Sequence, residues 1–264
     1  MKKASLYVLV FGVVQVGVSL AGVAVLRHFF PDVDAQAPMP LLTMVAVASI
    51  LLIVLFLALK WCPVSRNYIR TRPWLSLMWT ALLGIGIVLP LTWLGEQLPE
   101  AWQENLLGEE FKEMLHSTEG YFIICMLGPL MEEIVFRGAL IRALLEWCDK
   151  RMPDNRARWT AIVVSALVFS LVHCNPAQMP HAFVVGLLLG WLFVKSGSIV
   201  PGFIVHWINN SAAYVAVNLF PQLPVDAKLV DYFGGNNMAV AQAVISSLLI
   251  ALPSLYQLIK KERI

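Results

Sequence analysis

The run Glu132-Glu133-Ile134-Val135-Phe136-Arg137 sets two adjacent acids and an arginine inside a stretch otherwise apolar enough to cross a bilayer. Ionised side chains at membrane depth are costly, so they mark a functional site by default. Two more polar pairs lie in later apolar stretches, Phe169 with His173 and His206 with Asn210. Acids, imidazoles and an amide are the parts of a hydrolytic centre. A carboxylate in a low-dielectric site is a stronger base than one in water, which suits general-base chemistry near neutral pH. On that logic Glu132, aided by His173, holds and deprotonates a water. His206 and the Asn210 amide then donate hydrogen bonds to the oxyanion of a tetrahedral intermediate. Neither Ser nor Cys is required as a nucleophile.

Spacing assigns partners. Glu133 and Arg137, four residues apart, share a helix face and can pair, while Glu132 points about 100° away and can face a cavity. His206 and Asn210, also four apart, can aim at one point, and Phe169, one turn before His173, can wall the pocket against water. At a rise of about 1.5 Å per residue, Glu132 lies about 21 Å from the cytoplasmic end of its span and His173 a similar distance along the next. His206 and Asn210 fall about 11–17 Å into theirs, so three helices bring polar groups to overlapping depth. Taken singly, each has a structural alternative. Glu133–Arg137 is compatible with a packing ion pair, and His173 and Asn210 with hydrogen-bonded glue between helices. Gly186 and Gly190 have the spacing of helix packing. Cys174 diverges from His173 by about 100° on a helix, against a thiol protease. His181 is expected at the membrane interface, and His28 and His116 in solvent.

These groups need a membrane bundle to hold them. The 264 residues are 59% hydrophobic and 14% charged, with a mean hydropathy of +0.73; soluble domains carry about 25% charged residues. Apolar runs predict one all-α, polytopic domain over 1–264, with about eight transmembrane helices and a polar catalytic cavity inside the bundle. The spans are expected near 5–27, 41–59, 74–95, 120–146, 159–174, 181–195, 199–220 and 238–259. Asn175-Pro176 and Pro180 break helix between the fifth and sixth. Lys2 and Lys3, Lys60, Arg66, Arg70 and Arg72, Lys150, Arg151, Arg156 and Arg158, Lys195, and Lys260, Lys261 and Arg263 all fall on one side of that alternation. Only Arg27, Lys112 and Lys228 fall opposite, which predicts cytoplasmic termini. Glu96 to Glu119 is either an interfacial amphipathic helix or a solvated connector. A net charge of +2 with dispersed cations argues against nucleic acid. Cys62, Cys125, Cys148 and Cys174 have neither disulfide nor zinc-ribbon spacing, and the apolar run after Lys3 is too long for a cleaved signal peptide.

The chain resembles the CPBP family of integral membrane proteins, named for CAAX proteases and bacteriocin processing, whose motifs EExxxR, FxxxH and HxxxN follow one another on successive transmembrane helices. All three are intact here, as Glu132-Glu133 to Arg137, Phe169 to His173 and His206 to Asn210, within residues 120–215. The resemblance implies a glutamate-type intramembrane endopeptidase related to the type II CAAX prenyl endopeptidases. It gives Glu132 and His173 to the water and His206 and Asn210 to the oxyanion, with Glu133 and Arg137 in support. It also implies a prokaryotic inner-membrane enzyme acting on a membrane-associated peptide or protein tail, prenylated or not, without a cofactor. Three alternatives stand beside it. Glu132, Glu133, His173 and His206 offer two imidazoles and carboxylates to zinc, although HExxH is absent. A non-catalytic scaffold or bacteriocin self-immunity protein would keep the motifs for packing. A transporter is disfavoured by the lack of evident repeats.

Overall fold

The computed structural model describes residues 1–62, 66–104, 106, 108–224 and 227–261. They form helices and no strands: α1 (Lys2–Phe29), α2 (Pro38–Ala58), α3 (Arg66–Arg70), α4 (Trp74–Glu96), a 3-10 turn at Glu100–Trp102, α5 (Glu109–His116), α6 (118–148), α7 (Asp154–Leu171), α8 (Met179–Ser196), α9 (Val200–Leu219), α10 (Leu229–Tyr232) and α11 (Asn237–Lys260). Among these, α1, α2, α4, α8 and α11 are long and apolar enough to cross a membrane. The chain is an all-α integral membrane protein.

Helices occupy all eight positions expected to span, and among the described residues those five are the continuous α-helices with the length and apolarity of a span. The other three differ from these in winding or in polar content. Helix α6 changes its winding along its length, α7 opens with Asp154, Arg156 and Arg158, and α9 carries His206, Asn209, Asn210 and Asn218.

The chain divides into two compact units, Met1–Val64 with Glu109–Ala161, and Ser65–Gly108 with Ile162–Ile264. In the first, α1 packs on α2 and on α6. Tyr7 meets Phe56 and Trp61 at ring separations of 5.7 and 4.8 Å, and Phe11 meets Phe136 edge-on at 5.2 Å. Phe56 and Phe136 are fully enclosed. Ser117 caps the start of α6, its hydroxyl accepting from the Gly120 N–H at 2.9 Å. The helix then alternates between π and α winding, with Tyr121–Leu127 and Glu133–Ile141 in the wider π form and Gly128–Glu132 and Arg142–Cys148 in the α form. Gly138 lets the Cys62 thiol come so close that a side chain there would overlap the sulfur.

In the second unit α4 packs against α11 and α9. Glycines permit both approaches: a Cβ on Gly86 would stand 2.6 Å from the Ala251 nitrogen, and one on Gly84 would stand 3.3 Å from the Val205 Cα. Without a hydrophobic drive between helices in lipid, such close backbone packing is a main source of association. Leu83, Val185, Leu189, Leu192, Val205 and Leu258 fill the core around these crossings. Gly197, at φ +68°, ends α8 in the left-handed conformation that glycine adopts without strain.

Candidate active site

The acidic motif sits in the first unit, where α6 passes from α to π winding. Single π turns inside helices are uncommon and often mark functional positions. Arg137 and Glu133 are both fully buried and pair at 3.0 Å, one turn apart. This is the intrahelical pair that the spacing predicted. Glu132 is only partly buried, so neighbouring acids occupy different environments. Removing Arg137 would leave a charge in the core, which costs about 3–5 kcal/mol in comparable buried pairs.

The second unit holds the remaining motif residues. His173 stands two residues past the end of α7, in the turn to α8, and not on the helix as the sequence analysis placed it. The cause is local. Asn175-Pro176 stops the helix, and Cys174 turns the backbone to φ +50°. The turn is well tied. The Ser170 hydroxyl donates to the Met179 carbonyl at 2.6 Å, and the buried Asn175 carboxamide oxygen accepts from the Leu106 N–H at 3.2 Å. The Ala177 N–H donates to the Glu104 carbonyl at 3.1 Å.

His173 Nδ1 lies 2.7 Å from the Phe169 carbonyl oxygen. A carbonyl only accepts, so Nδ1 carries a proton, and in the neutral form of the ring this tautomer places the lone pair on Nε2. The Phe169 ring is edge-on to two imidazoles, His173 at 4.9 Å and His206 at 5.7 Å. It is itself backed by Gly186, whose missing side chain would stand 3.3 Å from the ring and 3.1 Å from Ala166. Phe169, His173 and His206 are therefore brought together as expected, with the phenyl ring as a spacer. His206 is buried and Asn210 partly exposed on α9.

Two residues were missed by sequence reasoning. His181, expected at the interface, is partly buried in the first turn of α8, and its Nε2 is 3.0 Å from the Asn209 carboxamide oxygen. The Asn209 amide in turn donates to the Asn210 carboxamide oxygen at 3.5 Å. In this orientation His181 Nε2 is protonated, and Asn210 turns its oxygen to Asn209. The signal was present as a second asparagine beside the motif and a second imidazole near a helix start. Spacing alone did not connect residues 28 positions apart. His28 and His116 are exposed, as expected. Among the described residues, no group of three or more His, Cys, Asp or Glu side chains is arranged to hold a metal ion.

Comparison with known proteins bears on this set of residues. Residues 116–212 match the model of the type II CAAX prenyl endopeptidase Rce1-like family. Every motif residue, and His181 with Asn209, lies inside that matched region. The membrane-embedded CAAX protease MroQ of Staphylococcus aureus (strain USA300) is 28% identical over 103 residues, 38% of this chain. The match spans 40% of that relative's own length. No solved structure is significantly similar to the chain. The residues matched by the family model take in α6, α7, α8 and the first part of α9, leaving α1 to α4 and α11 outside that match.

Proposed function

We propose that this protein is an intramembrane endopeptidase that hydrolyses a peptide bond of a membrane-associated protein or peptide with a glutamate-activated water. The observation that carries the reading is the His173 tautomer. With Nδ1–H committed to the Phe169 carbonyl, Nε2 presents a lone pair that can accept a hydrogen bond from water. Glu132 takes the proton of that water as its oxygen bonds to the scissile carbonyl carbon. The C–N bond then breaks, and Glu132 returns the proton to the leaving amine. His206 and the Asn210 NH2 donate to the oxyanion formed between these steps. Glu133 and Arg137 hold the acidic turn, and Phe169 spaces the imidazoles. Substrates are membrane-anchored tails, CAAX-like in view of the family match, or peptide precursors. Both termini are assigned to the cytoplasm by the Lys and Arg asymmetry.

A zinc-dependent variant of the same hydrolysis draws on the same ring, since a metal-binding His also donates its second N–H to a carbonyl. The test is cleavage of a quenched peptide library, including a farnesylated CAAX peptide, by purified protein and by Glu132→Gln and His173→Ala in detergent after chelation. Wild-type cleavage that both substitutions abolish, in variants with an unchanged unfolding midpoint, is the expected result. Loss of wild-type activity on chelation, restored by zinc, would replace the water-only mechanism. Undiminished cleavage by Glu132→Gln would overturn the assignment.

A further inference from the structure

A cavity of about 260 Å³ lies in the first unit, where the first turn of α1 meets the last turn of α6. Lys2, Lys3, Lys150 and Arg151 line it against a single acid, Glu146, with Trp147 beside them. The acid is already engaged, because Lys3 Nζ lies 3.0 Å from one of its oxygens. Arg151 is pinned as well. Its Nη1 donates to the Trp147 carbonyl at 2.7 Å, and the guanidinium stands 4.6 Å from the centre of the Trp147 ring. That bond uses one of five guanidinium donors. The first turn of α1 carries no acid, and Met1 gives it no side-chain cap. Four cations are thus gathered around a concave space with one paired acid between them, an arrangement an anion would complete.

Position selects the anion. The long apolar run of α1 begins at this cavity, so it stands at the edge of the hydrocarbon layer, and Trp147 is of the type that concentrates at that level. The Lys and Arg asymmetry assigns this edge to the cytoplasmic leaflet, which carries the anionic lipids. We propose that the cavity binds the phosphate headgroup of an anionic glycerophospholipid. Lys2, Lys150 and Arg151 hold the phosphate, Trp147 sits at the glycerol level, and the Lys3–Glu146 pair fixes α1 to α6 beneath them. The site contains none of the residues assigned to peptide hydrolysis, so its test does not depend on that activity.

The experiment is native mass spectrometry of the full chain released from nanodiscs holding equal phosphatidylglycerol and phosphatidylcholine, with lipids retained per protein as the readout. The wild type is expected to retain phosphatidylglycerol preferentially. The double variant Lys150→Gln/Arg151→Gln should lose about thirtyfold in that preference, the share of two cations near an anionic surface. Glu146→Gln, which removes the acid that lines the cavity, should hold the lipid at least as well, with unfolding midpoints reporting that both variants fold. Equal retention of the two lipids, or an unchanged preference in the double variant, would overturn the proposal. Displacement of phosphatidylglycerol by millimolar inorganic phosphate would also overturn it, assigning the cavity to the free ion.

Discussion

The acidic turn of α6 and the imidazole turn after α7 use costly polar groups in opposite ways. Glu133 and Arg137 are sealed from solvent and engaged with each other at 3.0 Å. His173 is partly exposed in a turn, and its one described bond uses Nδ1 and leaves Nε2 for a further partner. Both are exceptional in an apolar chain, so rarity does not separate scaffold from chemistry. What separates them is the bonding capacity that remains after local partners are satisfied. The adjacent acids repeat the lesson at one-residue resolution, with Glu133 enclosed and Glu132 only partly so.

The contrast breaks first at Arg137. Arg137→Ala should cost about 3–5 kcal/mol by leaving Glu133 uncompensated in the core. The double substitution Glu133→Gln/Arg137→Gln should recover part of it. Chemical unfolding in detergent reads both, and a wild-type midpoint for Arg137→Ala would remove the structural half of the contrast. On the chemical side, Asn210→Ala should lower kcat about 100-fold with little change in midpoint, as removal of an oxyanion donor does. A loss confined to KM would move Asn210 from the transition state to ground-state binding. Asn209→Ala acts one step further back. Losing one neutral hydrogen bond of about 1 kcal/mol predicts a fall of about fivefold in kcat, and no change would detach the His181–Asn209 chain from catalysis.

The smallest effect is on thiol labelling. Burial pushes the Cys62 thiol up to about 11, whereas Cys174 is exposed beside His173. At pH 7 a maleimide should modify Cys174 within minutes and leave Cys62 unreacted in folded protein, as mass spectrometry of peptides would record. Labelling of Cys62 at a comparable rate would mean that the Gly138 contact opens readily.

Much of this arrangement was legible because membrane chemistry punishes unexplained polarity. Glu133–Arg137 followed from a four-residue spacing, and Phe169 from its place one turn before His173. The helix break at Asn175-Pro176 was also legible, but its extent was not. Pattern placed His173 on the helix, while the prolines and the positive φ at Cys174 end α7 at Leu171. The π winding of α6 has no signature in apolar periodicity, since Glu133–Ile141 is buried all round and presents no polar face to count. The Asn209–His181 bond joins two helices, and one sequence holds no record of which helix neighbours which.

The wide winding of Glu133–Ile141 bears on how the chain tolerates changes in length. In an ordinary α-helix, deleting one residue swings everything downstream by about 100°. Here the π bonds, running from i to i+5, already hold one residue per turn more than an α ladder uses. A deletion within 138–141 can therefore relax that stretch toward α geometry and leave the azimuth of Arg142–Cys148, and with it the Lys3–Glu146 bridge, nearly in phase. The same deletion within Arg142–Cys148, which is already α-wound, has no such slack and would turn Glu146 away from Lys3.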